Sequence, residues 1–231
     1  MGRPRTVSVA DPRGSHWVRL CLVGLVGGGG CTSVGHHLSA RPTPSAQWEW
    51  GIVTSTLVLD RGLGTEAFPN PEFTWRYGLG HRVDIGGRIN ALGAIFDPRI
   101  GLWSHGLSYL ALVPETGFAL NALTNDDVGP LAAVFGVGLL MDIPLARQVT
   151  AVTGLRLRGQ LEFGPTAFAG RWQGKWMSMP GGSVGVKWQL TPAVHLFPEI
   201  TMFARHDSLA DAWRPPTAQI GLSIGITPGA Q

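Results

Sequence analysis

The chain has 231 residues, of which only 14% are charged and 33 are glycine, and it carries a formal net charge of +3. Its basic residues are scattered rather than gathered into a run, which gives no footing for nucleic acid. Its two cysteines, Cys21 and Cys31, both lie near the start, so the body of the chain has neither a disulfide framework nor a cysteine metal site. No stretch of 18 apolar residues offers a membrane helix.

Residues 1–31 read as an export leader: Arg3, Arg5, Arg13 and Arg19 precede the short apolar run 20–26, and small residues follow. The stretch "GGGGC", ending at Cys31, resembles the lipobox of bacterial lipoproteins, with Gly28 where that motif has a leucine-like residue. The resemblance implies acylation of Cys31; cleavage near Gly35 or near Ala46 by an ordinary signal peptidase is the alternative. Residues 32–47, rich in Ser, Pro and Thr, read as a flexible linker. Within it His36 and His37 are a solvated pair, since two adjacent histidines are too few ligands to hold a metal.

From Trp48 onward the chain is a succession of alternating segments divided by turn residues. Strands are predicted at 48–59, 73–79, 83–93, 100–113, 118–123, 131–141, 148–163, 183–190, 194–205 and 217–226. Pro69, Asn70 and Pro71 are assigned to a loop, "PETG" (114–117) to a tight turn, and residues 227–231 to a tail. Longer connections begin near 60, 94, 125, 164 and 206, and short ones near 80, 114, 143 and 191. Longer and short connections thus fall at opposite ends of an up-and-down barrel of eight to ten strands, domain 48–226.

Segment 148–163 has two unlike faces. Val149, Ala151, Leu155, Leu157, Leu161 and Phe163 share one parity; Arg156, Arg158, Gln160 and Glu162 share the other. Across the chain the polar parity collects Arg76, Asp84, Arg88, Lys187, Glu199 and Arg205, interleaved with Gly78, Gly86, Gly136, Gly138, Gly154, Gly185, Gly221 and Gly225. A face open to water has no need of so many absent side chains, whereas a narrow closed interior does. These charged residues are therefore predicted to pair inside a filled lumen. The opposite parity, with Trp48, Trp50, Phe73, Trp75, Tyr77 and Trp188, is predicted to face lipid. A soluble lipocalin-like barrel binding a hydrophobic ligand predicts the reverse, with Arg156 and Arg158 in water.

The final strand, "QIGLSIGI", resembles the β-signal of outer-membrane barrels: polar Gln219, then Gly221, then Ile224 and Ile226, although "TPGAQ" follows where the family ends on an aromatic residue. In style, residues 48–226 are similar to small outer-membrane barrels of the OmpA and OmpW type. The resemblance implies a bacterial outer-membrane location, with membrane lipid and the barrel assembly machinery as partners, and a structural or surface role through the longer loops. No cofactor, metal or specific small molecule is implied.

Chemistry has one candidate. In "RHDS", His206 and Ser208 resemble the His-x-Ser of the lipid A 3-O-deacylase family, in which the histidine activates the serine. The family's following Asn-Ala-Gly is Leu209, Ala210 and Asp211 here, and its acidic partner in the last strand is missing, leaving Asp211 or Glu199 as substitutes. His81 and His105 are assigned to turns and His195 to the polar face as a hydrogen-bonded interior residue. The expected reading is a barrel that is not an enzyme.

Overall fold

The computed structural model describes residues 38–60, 65–91, 93–120, 131–163, 174–207 and 211–228. Its strands are β1 (Trp48–Asp60), β2 (Thr65–Gly78), β3 (Val83–Asn90), β4 (Gly93–Phe96), β5 (Arg99–His105), β6 (Ser108–Leu120), β7 (Leu131–Ala146), β8 (Val149–Phe163), β9 (Gly174–Gln189), β10 (Val194–Asp207) and β11 (Ala212–Ile226). β4 and β5 are two halves of one stave, interrupted at Asp97 and Pro98, and both lie between β3 and β6. β11 pairs antiparallel with β1, Trp50 opposite Ile226 and Val58 opposite Ala218. That seam closes an antiparallel barrel of ten staves and removes the sheet edges. Among the described residues there is no α-helix.

The two parities of each strand lie on opposite sides of the wall, as the period of two requires. β8 shows it most plainly: Leu155 and Leu157 are 69% and 54% exposed, while Arg156 and Arg158 between and beside them are 4% and 0% exposed. The arrangement is the reverse of the one a lipocalin-like barrel requires. The interior also holds small apolar patches, such as Ile95, Ala119, Ala132 and Val134.

The ten staves fall within the expected eight to ten, but several boundaries move. Residues 114–117 do not turn: Pro114, Glu115, Thr116 and Gly117 lie in mid-β6, opposite Val137, Gly136, Phe135 and Val134 of β7. The turn is instead at Gly106, whose φ of +57° only glycine adopts freely, so the predicted strand 100–113 is cut in two, and Phe118, Ala119 and Leu120 continue β6 rather than open a new strand; 121–123 lie outside the described residues. The connection expected to be longer near 94 is only residues 91–92. Pro69, Asn70 and Pro71 belong to β2, paired with Thr56, Ser55 and Thr54 of β1. β3 pairs with β2 only from Glu72 onward, so this stretch has one neighbouring strand, where proline is tolerated.

β9 and β11 also begin earlier than the turn residues suggest, at Gly174 and Ala212. In β9 this early stretch is held by Trp176, which lies over Gly159 of β8 on the outer wall and fills the space left by the missing side chain. Turns 79–82, 106–107, 147–148 and 190–193 are at one end with the start of β1 and the end of β11. At the other end β1, β6, β8 and β10 finish and β2, β7, β9 and β11 begin.

Candidate functional site

The interior is assembled from residues that alternate inward along strands distant in sequence. Near the short-turn end, Asp84 of β3 is fully buried and joins two arginines. One of its oxygens accepts from Arg76 Nε at 2.9 Å and Nη2 at 2.7 Å; the other accepts from Arg99 Nε at 2.9 Å. Arg76 Nη1 also donates to Asp97 at 2.8 Å, and the second oxygen of Asp97 is 3.5 Å from Arg88 Nε. That contact links the lower cluster to a second one around Glu115. Glu115 accepts from Arg88 Nη2 at 2.9 Å, from Arg158 Nη2 at 3.0 Å and from Arg156 Nη2. Buried charges need such multiple partners to offset desolvation.

Toward the other end the contacts are milder. Gln219 Nε2 donates to Ser55 Oγ at 2.7 Å, and Ser55 Oγ donates to the Asn70 carbonyl at 2.9 Å. Glu162 accepts from Gln160 Nε2 at 3.4 Å, and Glu199 from Thr201 Oγ1 at 2.6 Å. Arg205 is half-buried beyond a register shift between Phe203 and Arg205. Of the residues in the proposed assembly signal, Gln219 and Gly221 point inward and are buried, while Ile224 and Ile226 stand on the outer wall.

Residues 38–47 correct the linker reading over that part of its length: Leu38, Ser39, Ala40, Pro42 and Thr43 are buried at the short-turn end of the barrel, and the exposed residues 44–46 lead out to β1. Asp142 of β7 accepts from Ser39 Oγ, from the Ala40 N–H at 2.6 Å and from the Arg41 N–H at 3.2 Å. The Thr43 N–H donates to Asp84 at 2.7 Å, and Arg99 donates to the Ser39 carbonyl and to Thr43 Oγ1. Leu38 and Ala40 join Ala111, Val113 and Leu140 in an apolar cluster. The segment then turns at Ala46, which holds a φ of +60°, pinned as its N–H donates to the Gly78 carbonyl at 2.9 Å and Gln47's carbonyl accepts from the Gly78 N–H at 3.0 Å. A side chain at Gly78 would collide with the backbone of Thr43 and Pro44.

Glu49, Asp97, Arg99, Glu115 and Asp142 were missed by the pattern reading. Glu115 had a signal: it is the one charge on a β6 parity otherwise made of Tyr109, Ala111, Val113, Gly117 and Ala119. Asp142 likewise continues the inward parity of Val134, Gly136, Gly138 and Leu140. Lys187, placed in the interior network by its parity, is half-buried and lines the short-turn mouth.

His81 lies in the turn 79–82, and His105 ends β5 with its ring 6.0 Å from Trp103. His195 is buried with Nε2 3.7 Å from Glu49 Oε1. His206 is half-buried against the edge of Trp213, ring centres 5.0 Å apart, and its Nε2 is 3.4 Å from Asp211 Oδ1. Ser208, Cys31, His36 and His37 lie outside the described residues. Among the described residues no group of three or more His, Cys, Asp or Glu could hold a metal ion.

Outside, aromatic residues cluster toward the strand ends. Trp48 stacks on Trp50 at 5.2 Å and meets Tyr77 at 4.8 Å near the short turns, with Trp188 exposed on the same rim. Trp176 and Trp213 are exposed near the opposite ends of their strands. Between them the outer wall is mainly aliphatic, with Ile52, Leu155, Leu157, Val184, Ile200 and Ile220 exposed alongside a few phenylalanines such as Phe118 and Phe135. An apolar outer band flanked by aromatic residues and wrapped around a polar interior defines a small β-barrel of the outer-membrane type.

No family model matches the sequence, and no curated protein matches it. Among solved structures, the crystal structure of Neisserial surface protein A (NspA) is 10% identical with a TM-score of 0.42, covering 78% of this chain and 96% of that one. That of Ail, the attachment invasion locus protein of Yersinia pestis, is 8% identical with a TM-score of 0.27, covering 78% of this chain and 95% of its own. At such scores these likenesses add nothing to the barrel's own geometry.

Proposed function

We propose that this protein is an outer-membrane barrel with a structural or surface-interaction role, in which a filled polar lumen holds the wall rigid and the longer loops meet partners. The observation that carries the reading is the inversion within β8, where leucines face outward and arginines are sealed within. Water would not select exposed leucine over arginine at alternate positions; lipid does. The paired clusters around Asp84 and Glu115 support a scaffold rather than a solute channel, because a barrel of this size encloses little beyond side chains.

The test is cell fractionation of the full chain combined with Leu157→Arg. The native protein is expected in the membrane fraction and released only by detergent. L157R places a guanidinium on the lipid face, costing about 2–4 kcal/mol near the bilayer midplane and lowering the folded yield in vesicles. Recovery of native protein in the soluble fraction, or normal folding of L157R into bilayers, overturns the proposal.

The barrel-esterase reading draws support from the 3.4 Å approach of Asp211 to His206. Asp211 is 95% exposed, where water rather than the imidazole satisfies most of its charge, so the scaffold reading is preferred.

A further inference from the structure

The short turns are apolar where turns that project into water are built from Gly, Asn, Asp and Ser. Leu79, Leu145 and Leu190 lie in or beside three of them and carry on, past the strand ends, the outward parity of Tyr77, Ile143 and Trp188. They are 55%, 63% and 43% exposed, and Leu107, also exposed, tips the remaining turn. On the adjoining strand ends Trp48, Trp50, Trp103 and Trp188 are exposed as well. These side chains are spread over separate connections around the rim, so they form a collar and not the single contiguous patch that one protein partner covers.

The surface charge at this end has one sign. Arg82 and Arg147 are exposed in the turns 79–82 and 147–148. The carboxylates nearby are withdrawn. Asp84, Asp97 and Asp142 are buried, and Glu49 is half-buried between Thr43, His195 and the charge of Lys187. Arg41 is exposed too, but its guanidinium is held over the Tyr109 ring. Among the described residues no exposed Asp or Glu therefore stands at the short-turn end to neutralise Arg82 and Arg147.

We propose that the short-turn rim is seated in the headgroup layer of the bilayer, with its leucines at the acyl boundary and Arg82 and Arg147 on the headgroups of anionic phospholipids. The inference rests on the outer wall facing lipid, and adds to it the depth of the barrel and a preference among lipids. An arginine two or three residues from a leucine, as in Leu145 with Arg147 and Leu79 with Arg82, suits that boundary. The leucine dips toward hydrocarbon while the long basic stem carries its charge out to the phosphates.

The test refolds the full chain into phosphatidylcholine vesicles carrying a trace of spin-labelled phosphatidylglycerol or spin-labelled phosphatidylcholine. The motionally restricted fraction of each label gives its relative affinity for the barrel. One lipid against one arginine gains about fivefold, so phosphatidylglycerol should be preferred about two- to threefold averaged around the barrel at low salt. The preference should fall toward one in about 1 M salt, where charges are screened within about 3 Å, and in the double variant Arg82→Gln, Arg147→Gln. Magnetic resonance of the same chain in nanodiscs should find the amides of Leu79, Leu145 and Leu190 shielded from a water-soluble paramagnetic chelate. No preference for phosphatidylglycerol, a preference unchanged in the double variant, or turn amides open to the chelate overturns the proposal; the last is the result a docking face for a soluble protein gives. Heat-modifiable mobility in SDS gels reports insertion of each variant separately. A barrel that inserts without selecting lipid sinks only the collar, whereas a chain that never inserts sinks the outer-membrane reading with it.

Discussion

Glu115 is the point at which the interior is most exposed to a single change. It accepts from Arg88, Arg156 and Arg158, all of them buried, and it lies in mid-β6. Glu115→Gln keeps the volume and removes the charge, so the effect is electrostatic and not a cavity. Breaking one buried pair while leaving its partner costs about 3–5 kcal/mol. Three guanidiniums lose their shared carboxylate here, yet Asp97 stays 3.5 Å from Arg88 and holds part of that charge. The net loss expected is therefore near the middle of that range, about 4 kcal/mol, or roughly a thousandfold in the folding constant.

Reversible urea titration in detergent micelles, followed by tryptophan emission, measures the change as a shift in midpoint at constant slope. A second variant separates charge from packing: adding Arg156→Leu to E115Q removes one unbalanced cation and should restore part of the loss. A destabilisation below about 1 kcal/mol in E115Q, or a double variant worse than the single by a further full increment, refutes the view that Glu115 is the charge hub.

Two further predictions concern the amino-terminal side. Asp142→Ala strips the acceptor from Ser39, Ala40 and Arg41; at about 1–3 kcal/mol for buried donors left unsatisfied, amide exchange at Ala40 and Arg41 should quicken by about tenfold or more, and unchanged protection would refute the docking. Cys31→Ala should abolish fatty-acid labelling in cells; persistent labelling would exclude the lipobox. Leu38 is buried in the interior, so any lipid on Cys31 must be reached by seven residues, which span at most about 24 Å.

How much of this was legible in the sequence depends on how local the cause is. The faces of β8 are readable because every alternate residue testifies to the same wall. Glu115 was hidden because Pro114 before it and Gly117 after it are turn residues by composition, and their strand role comes from pairing with β7. Residues 38–47 were unreadable for a different reason. Their Ser, Pro and Thr content describes a chain with little apolar surface to bury, and their place is fixed by backbone N–H groups finding carboxylates on Asp142 and Asp84, about a hundred and about forty residues away. Composition carries no record of such long-range partners.

The interior glycines tie these threads together, because they decide which charges can meet. Glu115 of β6, Gly136 of β7 and Arg158 of β8 are in register across three adjacent strands, as are Val113, Gly138 and Arg156. A side chain at Gly136 would stand 3.3 Å from a carboxylate oxygen of Glu115. With only hydrogen there, a carboxylate on one strand passes over its neighbour and reaches arginines two strands away. The glycine that weakens β7 locally thus lets charge pairs lash β6 to β8 beyond their backbone ladder. In a wall held in lipid, where side chains on the outer face gain little from one another, such inner ties are where the sequence can add rigidity.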